Sequence, residues 1–252
     1  MEIVLIGTGN AASILGRKLK EAGNDIVQVY GRNSAAASRL AYDLGTESVN
    51  YINIIKQNAD LYILAVSDMA IRPLAADLQL GSKLVVHTAA SVSREVLRVS
   101  SAHYGVFYPL QTLRKESAYI PDIPVIIDAG DEDSIYRLER LARSISNYVV
   151  KADDEARRKL HLAAVFCNNF VNHLYVLTEN YCKKEGLDFG LFLPLIRETA
   201  ARLHYLSPSL SQTGPALRED HATIEAHLAM LEKEPQLKEI YRLFTENINR
   251  TR

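Results

Sequence analysis

The chain is poor in features that would assign it quickly to a class. It has only two cysteines in 252 residues, Cys167 and Cys182. Both fall in one helical stretch without metal-ligand spacing, which argues against a disulfide scaffold and a zinc site and fits a reducing, cytoplasmic setting. Net charge is also small: 29 Lys and Arg against 30 Asp and Glu leave −1, so nothing points to nucleic acid or to an anionic membrane surface as partner. No apolar run is long enough to span a bilayer. The N-terminus enters a strand directly, so no signal peptide is expected. There is no repeat, no low-complexity tract and no flexible linker. The length suits a full core and two domains.

What is present begins at the first residues. The apolar run Ile3-Val4-Leu5-Ile6 meets Gly7-Thr8-Gly9-Asn10-Ala11-Ala12, a helical stretch follows, and a second apolar run, Ile26 to Tyr30, ends in Gly31-Arg32-Asn33-Ser34. Strand, glycine-rich turn, helix, strand is the context a dinucleotide fingerprint requires. Gly7 permits the tight turn, Gly9 lets a pyrophosphate approach the backbone, and Ala12 is the small residue where helix packs on strand. The first N–H groups of the helix then face the phosphates. An NAD site usually has an acid after the second strand, to hold the ribose 2′-hydroxyl. This chain has Arg32 there, with Asn33 and Ser34, and a guanidinium fork suits a 2′-phosphate. NADP(H) is therefore expected over NAD(H).

Apolar runs near 2–6, 25–30, 61–66, 83–87, 104–107, 123–127 and 147–150 alternate with helical segments. That pattern predicts an α/β domain over 1–152 with a Rossmann-type, doubly wound parallel sheet. Ligands bind such sheets at the carboxyl edge, which makes Val66, Ser67, His87 and Thr88 further cofactor candidates. After Asp153 only helical periodicity remains, predicting an all-α C-terminal domain over 153–252. Its helices are expected at 154–184, 188–205, 216–232 and 235–249, with an ordered loop from Ser207 to Pro215.

In the first of these helices, Ala163, Phe166, Phe170, Leu174 and Leu177 form an apolar stripe. The other side carries His161, Val165, Asn168, Asn169, Asn172 and Glu179. Asparagine is a poor helix former, so three of them need a reason: a buried polar network, a helix interface, or a face toward substrate and nicotinamide.

A Rossmann half followed by a helix bearing Cys167-Asn168-Asn169 resembles the 6-phosphogluconate and β-hydroxyacid dehydrogenase superfamily. The nearer resemblance is to Rossmann-like NADP oxidoreductases related to deazaflavin-dependent NADP reductases and pyrroline-carboxylate reductase. It rests on His87-Thr88-Ala89-Ala90-Ser91, Tyr108-Pro109-Leu110-Gln111-Thr112, His161 to Asn169, and Thr213 to Asp220 with His227. The resemblance implies a homodimer through the helical domain and a small-molecule substrate in a cleft. It also implies an acid/base lysine where this chain has Val165. Valine cannot transfer a proton.

His161, one turn before Val165, is the best replacement acid, since imidazole titrates near neutrality; a structural histidine is the alternative. Asn168 and Asn169 complete the expected catalytic set. Tyr108, Gln111, Asn172, Thr213 and Arg218 are candidates for substrate binding, Arg218 through a carboxylate, although Arg218 with Asp220 also reads as a helix-start ion pair. The run Arg157-Arg158-Lys159 reads as a solvated face. Two functions remain open: an oxidoreductase passing a hydride to or from a small polar carbonyl or imine, and an inactive NADP(H) sensor. A deazaflavin hydride partner is a third option, by fold analogy.

Overall fold

Alternation along the first strand sets the layers. In a computed structural model, which describes residues 1–117 and 120–250, β1 (Glu2–Ile6) sends Ile3 and Leu5 into one apolar cluster and Val4 and Ile6 into another. Side chains on a strand alternate faces, so two clusters mean a sheet covered on both sides. The first cluster takes residues of α1 (Asn10–Glu21), α2 (Ser34–Leu44) and α4 (Glu132–Ile145), and the second takes residues of α3 (Asp68–Asp77). The strands are β1, β2 (Asp25–Tyr30), β3 (Ser48–Val49), β4 (Leu61–Leu64), β5 (Gly81–His87), β6 (Ser101–Pro109), β7 (Val125–Ala129) and β8 (Val149–Lys151). Their order in the sheet is β3-β2-β1-β4-β5-β6-β7-β8. Every residue of β4 is fully buried, as a central parallel strand requires. Each such Leu or Ile contributes about 1.5–3 kcal/mol of burial.

The doubly wound sheet was expected, with one departure. β7 runs antiparallel to β6. A parallel return needs a crossover, usually a helix, and no helix occurs among the described residues between Pro109 and Val125. The two-residue β3 was also not foreseen, because two residues carry no alternation.

The chain divides into two compact units, Met1–Asn169 and Phe170–Arg252. The first includes α5 (Asp154–Ala164). The expected long helix is interrupted: a π-helical turn, Val165–Phe170, separates α5 from α6 (Val171–Glu185). A π turn accommodates an extra residue and rotates the following face by about 100°. The predicted stripe is therefore not one continuous face, and Phe166 and Phe170 are 60% and 51% exposed. In the second unit follow α7 (Leu193–Arg202), α8 (Pro208–Ser211), α9 (His221–Met230) and α10 (Pro235–Arg250). Asp220 caps α9 by accepting from the Thr223 N–H, and the His227 ring meets the Tyr241 hydroxyl at 2.9 Å. No described helix is long and apolar enough to cross a membrane.

The turn after β1 is fixed by two glycines in different ways. Gly7 has φ +126°, and a Cβ there would sit 2.1 Å from the Ala65 carbonyl oxygen. A Cβ on Gly9 would meet nothing within 4 Å. We expect Gly7→Ala to lower the free energy of unfolding by about 2–4 kcal/mol, measured as a drop in the urea midpoint. Gly9→Ala should leave that midpoint nearly unchanged. Equal effects would contradict this reading of the turn.

Candidate active site

The carboxyl ends of β1, β2 and β4 enclose a cavity of about 480 Å³. Gly7, Thr8, Gly9, Asn10 and Ala11 form its floor, Tyr30, Gly31, Arg32 and Asn33 one wall, and Ala65, Val66, Ser67, Ala70 and Leu74 another. In sheet order β1 has β2 on one side and β4 on the other, so the cavity opens at the topological switch point, where such folds bind ligands. The structure thus brings together most of the residues named from sequence as cofactor-binding. Ala12 is buried in the helix–sheet layer behind the turn. Ser34 is exposed as the first residue of α2. Tyr30, Ala65, Ala70 and Leu74 were not foreseen, although Ala70 and Leu74 lie one turn apart on the helix that Ser67 introduces.

The donors suit a phosphorylated dinucleotide. α1 starts at Gly9 without a side-chain cap and has no acid in its first turn, leaving its first N–H groups for an anion. The open space over Gly9 leaves room for a pyrophosphate. At the second wall Arg32 is exposed. Asn33 serves partly as a cap, accepting from the Ala36 N–H at 2.9 Å. The first turn of α2 also lacks an acid. Ser67 stands at the N-cap of α3, but its side chain makes no cap hydrogen bond.

His87 and Thr88 are not among the cavity's lining residues. His87 is fully buried, and its Nδ1 accepts from the Ala89 N–H at 3.2 Å. Burial, aided by the Arg157 charge, pushes its pKa down to about 4, against the Ser93 backbone and Asp154. It is a neutral strut of the loop after β5. Thr88 is half-buried and its N–H donates to the Leu64 carbonyl.

Arg157 corrects the expectation of a solvated basic face. Arg158 and Lys159 are exposed, but Arg157 is fully buried. Its guanidinium donates to the Ala90 carbonyl at 3.0 Å, the Val92 carbonyl at 2.6 Å and Asp154 Oδ1 at 2.7 Å. Loop carbonyls with no strand partner draw it inward, and the fork of donors satisfies them. Arg157 thereby fastens α5 to the loop after β5.

One turn further along α5, His161 Nδ1 meets the Tyr108 hydroxyl at 2.9 Å, with the rings edge-to-face. Tyr108 lies within β6 rather than after it. Burial raises its phenol above the usual range; Arg157 opposes the rise and Asp68 adds to it. Asp68 follows the cavity-lining Ser67, so the pair adjoins the cofactor edge. Asn168, in the π turn, donates from Nδ2 to Thr112 Oγ1. Gln111 accepts from the Thr112 N–H and is exposed. Asn169 is exposed in the same turn and Val165 is half-buried. Nothing in the residue pattern marks the π turn itself. Asn172, Thr213 and Arg218 belong to the second unit, and all three are exposed. Thr213 borders an apolar cavity of about 260 Å³ there.

Two family models match the chain. One, described as NADP oxidoreductase coenzyme F420-dependent, covers residues 2–91. The other, described as a domain of unknown function (DUF2520), covers 123–248. Among solved structures, a candidate NADP oxidoreductase from Bacteroides fragilis is 40% identical, with TM-score 0.90 over 99% of this chain and 98% of its own. Two more distant structures share the fold. The 1-pyrroline-5-carboxylate reductase of Streptococcus pyogenes is 15% identical, with TM-score 0.68 over 99% of this chain and 98% of its own. The reductive aminase of Aspergillus terreus, in complex with NADPH and ethyl-5-oxohexanoate, is 14% identical, with TM-score 0.73 over 98% and 94%. No curated protein sequence matches.

Two outcomes follow from this geometry. Arg32→Ala should weaken NADPH binding about 10-fold or more and leave NADH binding nearly unchanged, a loss in the range of a charge-assisted hydrogen bond. Nicotinamide fluorescence titration reads both, and an unchanged NADPH preference contradicts the assignment. For His87 the folded pKa lies below the unfolded value of 6.5, so between pH 6.5 and 4 the unfolded chain binds the extra proton. Stability is therefore full above pH 6.5 and falls by about 3 kcal/mol toward pH 4. His87→Asn should flatten that part of the urea-midpoint profile against pH; an identical slope would rule the cause out.

Proposed function

Because the chain belongs to the NADP oxidoreductase family, we propose that it transfers a hydride between NADP(H) and a small polar carbonyl or imine compound. The observation that carries this reading is the cavity at the β1/β4 switch point, with the fingerprint turn as floor and Arg32 on its wall. When bound, NADPH supplies the hydride. The N–H groups at the start of α1 hold the pyrophosphate, and Arg32 with the start of α2 holds the 2′-phosphate.

The remaining chemistry needs a proton for the developing oxyanion or amide nitrogen. His161 with Tyr108 supplies it in place of the lysine that Val165 replaces, and Asn168 and Asn169 orient the substrate's polar groups. Tyr108 and Gln111 contact the substrate from the end of β6. Asn172, Thr213 and Arg218, exposed in the second unit, are proposed as substrate-binding residues on the strength of the sequence pattern. Kinship with the 6-phosphogluconate and β-hydroxyacid dehydrogenases belongs to this proposal, supported by Cys167-Asn168-Asn169 on the interrupted helix. The imine side of the substrate class is supported by the names of the fold neighbours, a pyrroline-carboxylate reductase and a reductive aminase.

We further propose a cytoplasmic homodimer joined through the helical part. Leu191, Leu195, Leu203 and Leu210 are all more than half exposed, and an apolar set of that kind is normally covered by a partner. A second reading, an NADP(H) sensor without catalysis, is favoured by Val165 alone.

NADPH oxidation followed at 340 nm against 2-oxo acids, aldehydes and cyclic imines separates the two readings. Turnover of at least one carbonyl or imine, abolished without NADPH, is expected. NADPH binding with no turnover across the panel would favour the sensor. In sedimentation equilibrium the wild type should run as a dimer and Leu191→Glu/Leu195→Glu as a monomer. A monomeric wild type at micromolar concentration would remove the dimer.

A further inference from the structure

We propose that Tyr108 is the residue that hands the proton to the substrate, and that His161 is a positioning residue which presents and recharges it. The assignment rests on the oxidoreductase reading above. It separates two residues that the sequence offered in different roles, one for acid and one for substrate contact.

Geometry favours this order. Tyr108 is the penultimate residue of β6, at the carboxyl edge of the sheet, within electrostatic reach of Asp68, which follows the cavity-lining Ser67. His161 stands behind it on α5, ring edge to ring face, with Nδ1 2.9 Å from the phenol oxygen. A phenol can accept one hydrogen bond and donate another. If His161 Nδ1–H donates to Tyr108 Oη, the Tyr108 proton is free to point at a substrate heteroatom. Burial holds the phenol above its usual range, so it stays a donor at neutral pH. The charged and titratable groups that reach it are His161 and Arg157 from α5 and Asp68 from α3. Arg157 is clamped to the loop after β5, so its positive charge is fixed and favours the phenolate formed as the proton leaves.

The step balances simply. A hydride brings an electron pair to the substrate carbon, and the C=O or C=N π pair moves to the heteroatom. The Oη–H bond of Tyr108 breaks as the heteroatom–H bond forms. The His161 Nδ1 proton passes to Oη as solvent supplies a proton to the ring at Nε2, and proton exchange with solvent then returns the ring to its Nδ1–H form. One hydride and one proton are consumed.

The first test needs no substrate. In the full chain labelled with ¹⁵N-histidine, the His161 resonances at pH 8 should report a protonated Nδ1 and a bare Nε2. A proton on Nε2, with Nδ1 accepting from the phenol, would overturn the proposal. The second uses 1-pyrroline as probe. Tyr108→Phe should lower kcat about 100-fold or more, the size of a lost general acid, with NADPH affinity unchanged. Wild-type kcat in Tyr108→Phe would also overturn it. Loss of NADPH binding in the wild type would instead defeat the cofactor reading, and the His161 tautomer is measured independently of that.

Discussion

A buried guanidinium carries more of this site than any other single group. Arg157 is fully enclosed; its Nε donates to the Ala90 carbonyl and its Nη2 to the Val92 carbonyl and Asp154. Breaking such an arrangement from one side leaves an uncompensated buried group, at a cost of about 3–5 kcal/mol. The clamp sets where α5 begins against the sheet, and therefore where His161 falls one turn later. Together with the Asn168–Thr112 hydrogen bond, it holds His161 near Tyr108, 53 positions away in sequence. The same charge acts on His87, on Tyr108 and on Asp128, so one residue tunes both the strut of the β5 loop and the phenol near the end of β6.

The switch-point cavity and the Tyr108–His161 pair lie along one sheet edge for a topological reason. Strands β4, β5 and β6 are parallel neighbours, so their carboxyl ends open side by side. Ser67 lines the switch-point cavity after the first, His87 braces the second and Tyr108 is the penultimate residue of the third. The π turn then returns Asn168 to Thr112, just beyond Tyr108. An ordinary α-helix through Val165–Phe170 would give Asn168 and the residues after it a different bearing. π turns recur at functional sites for this reason: they re-aim side chains without ending a helix.

Much of the fold was legible because it depends on local constraints. Gly7 is required by a positive φ and by the Ala65 carbonyl, and Leu61 to Leu64 are apolar because both faces of β4 are covered. Other features were not legible. The antiparallel β7 follows from a missing crossover helix, which no residue announces. The π turn differs from an α turn by one hydrogen-bond register and leaves composition unchanged. Arg157 sat in a basic run whose usual meaning is solvent, and only the loop carbonyls drawn around it reverse that reading. In the candidate site, most residues of the switch-point cavity were legible from the turn and strand ends, but Tyr30, Ala65, Ala70 and Leu74 were not, and His87 and Thr88 are not among its lining residues; the Tyr108–His161 pair was legible only as two separate candidates, since their meeting is a tertiary event.

The central claim is that the switch-point cavity is the NADP(H) site, and hydrogen exchange of the full chain with and without NADPH tests it most directly. Protection should appear in peptides spanning Gly7–Ala12, Gly31–Ala36 and Ala65–Ser67, with little change in the pocket at Lys18, Asp122 and Asn147 on another face of the first unit. Protection centred away from the fingerprint turn, or none at saturating NADPH, would contradict the account.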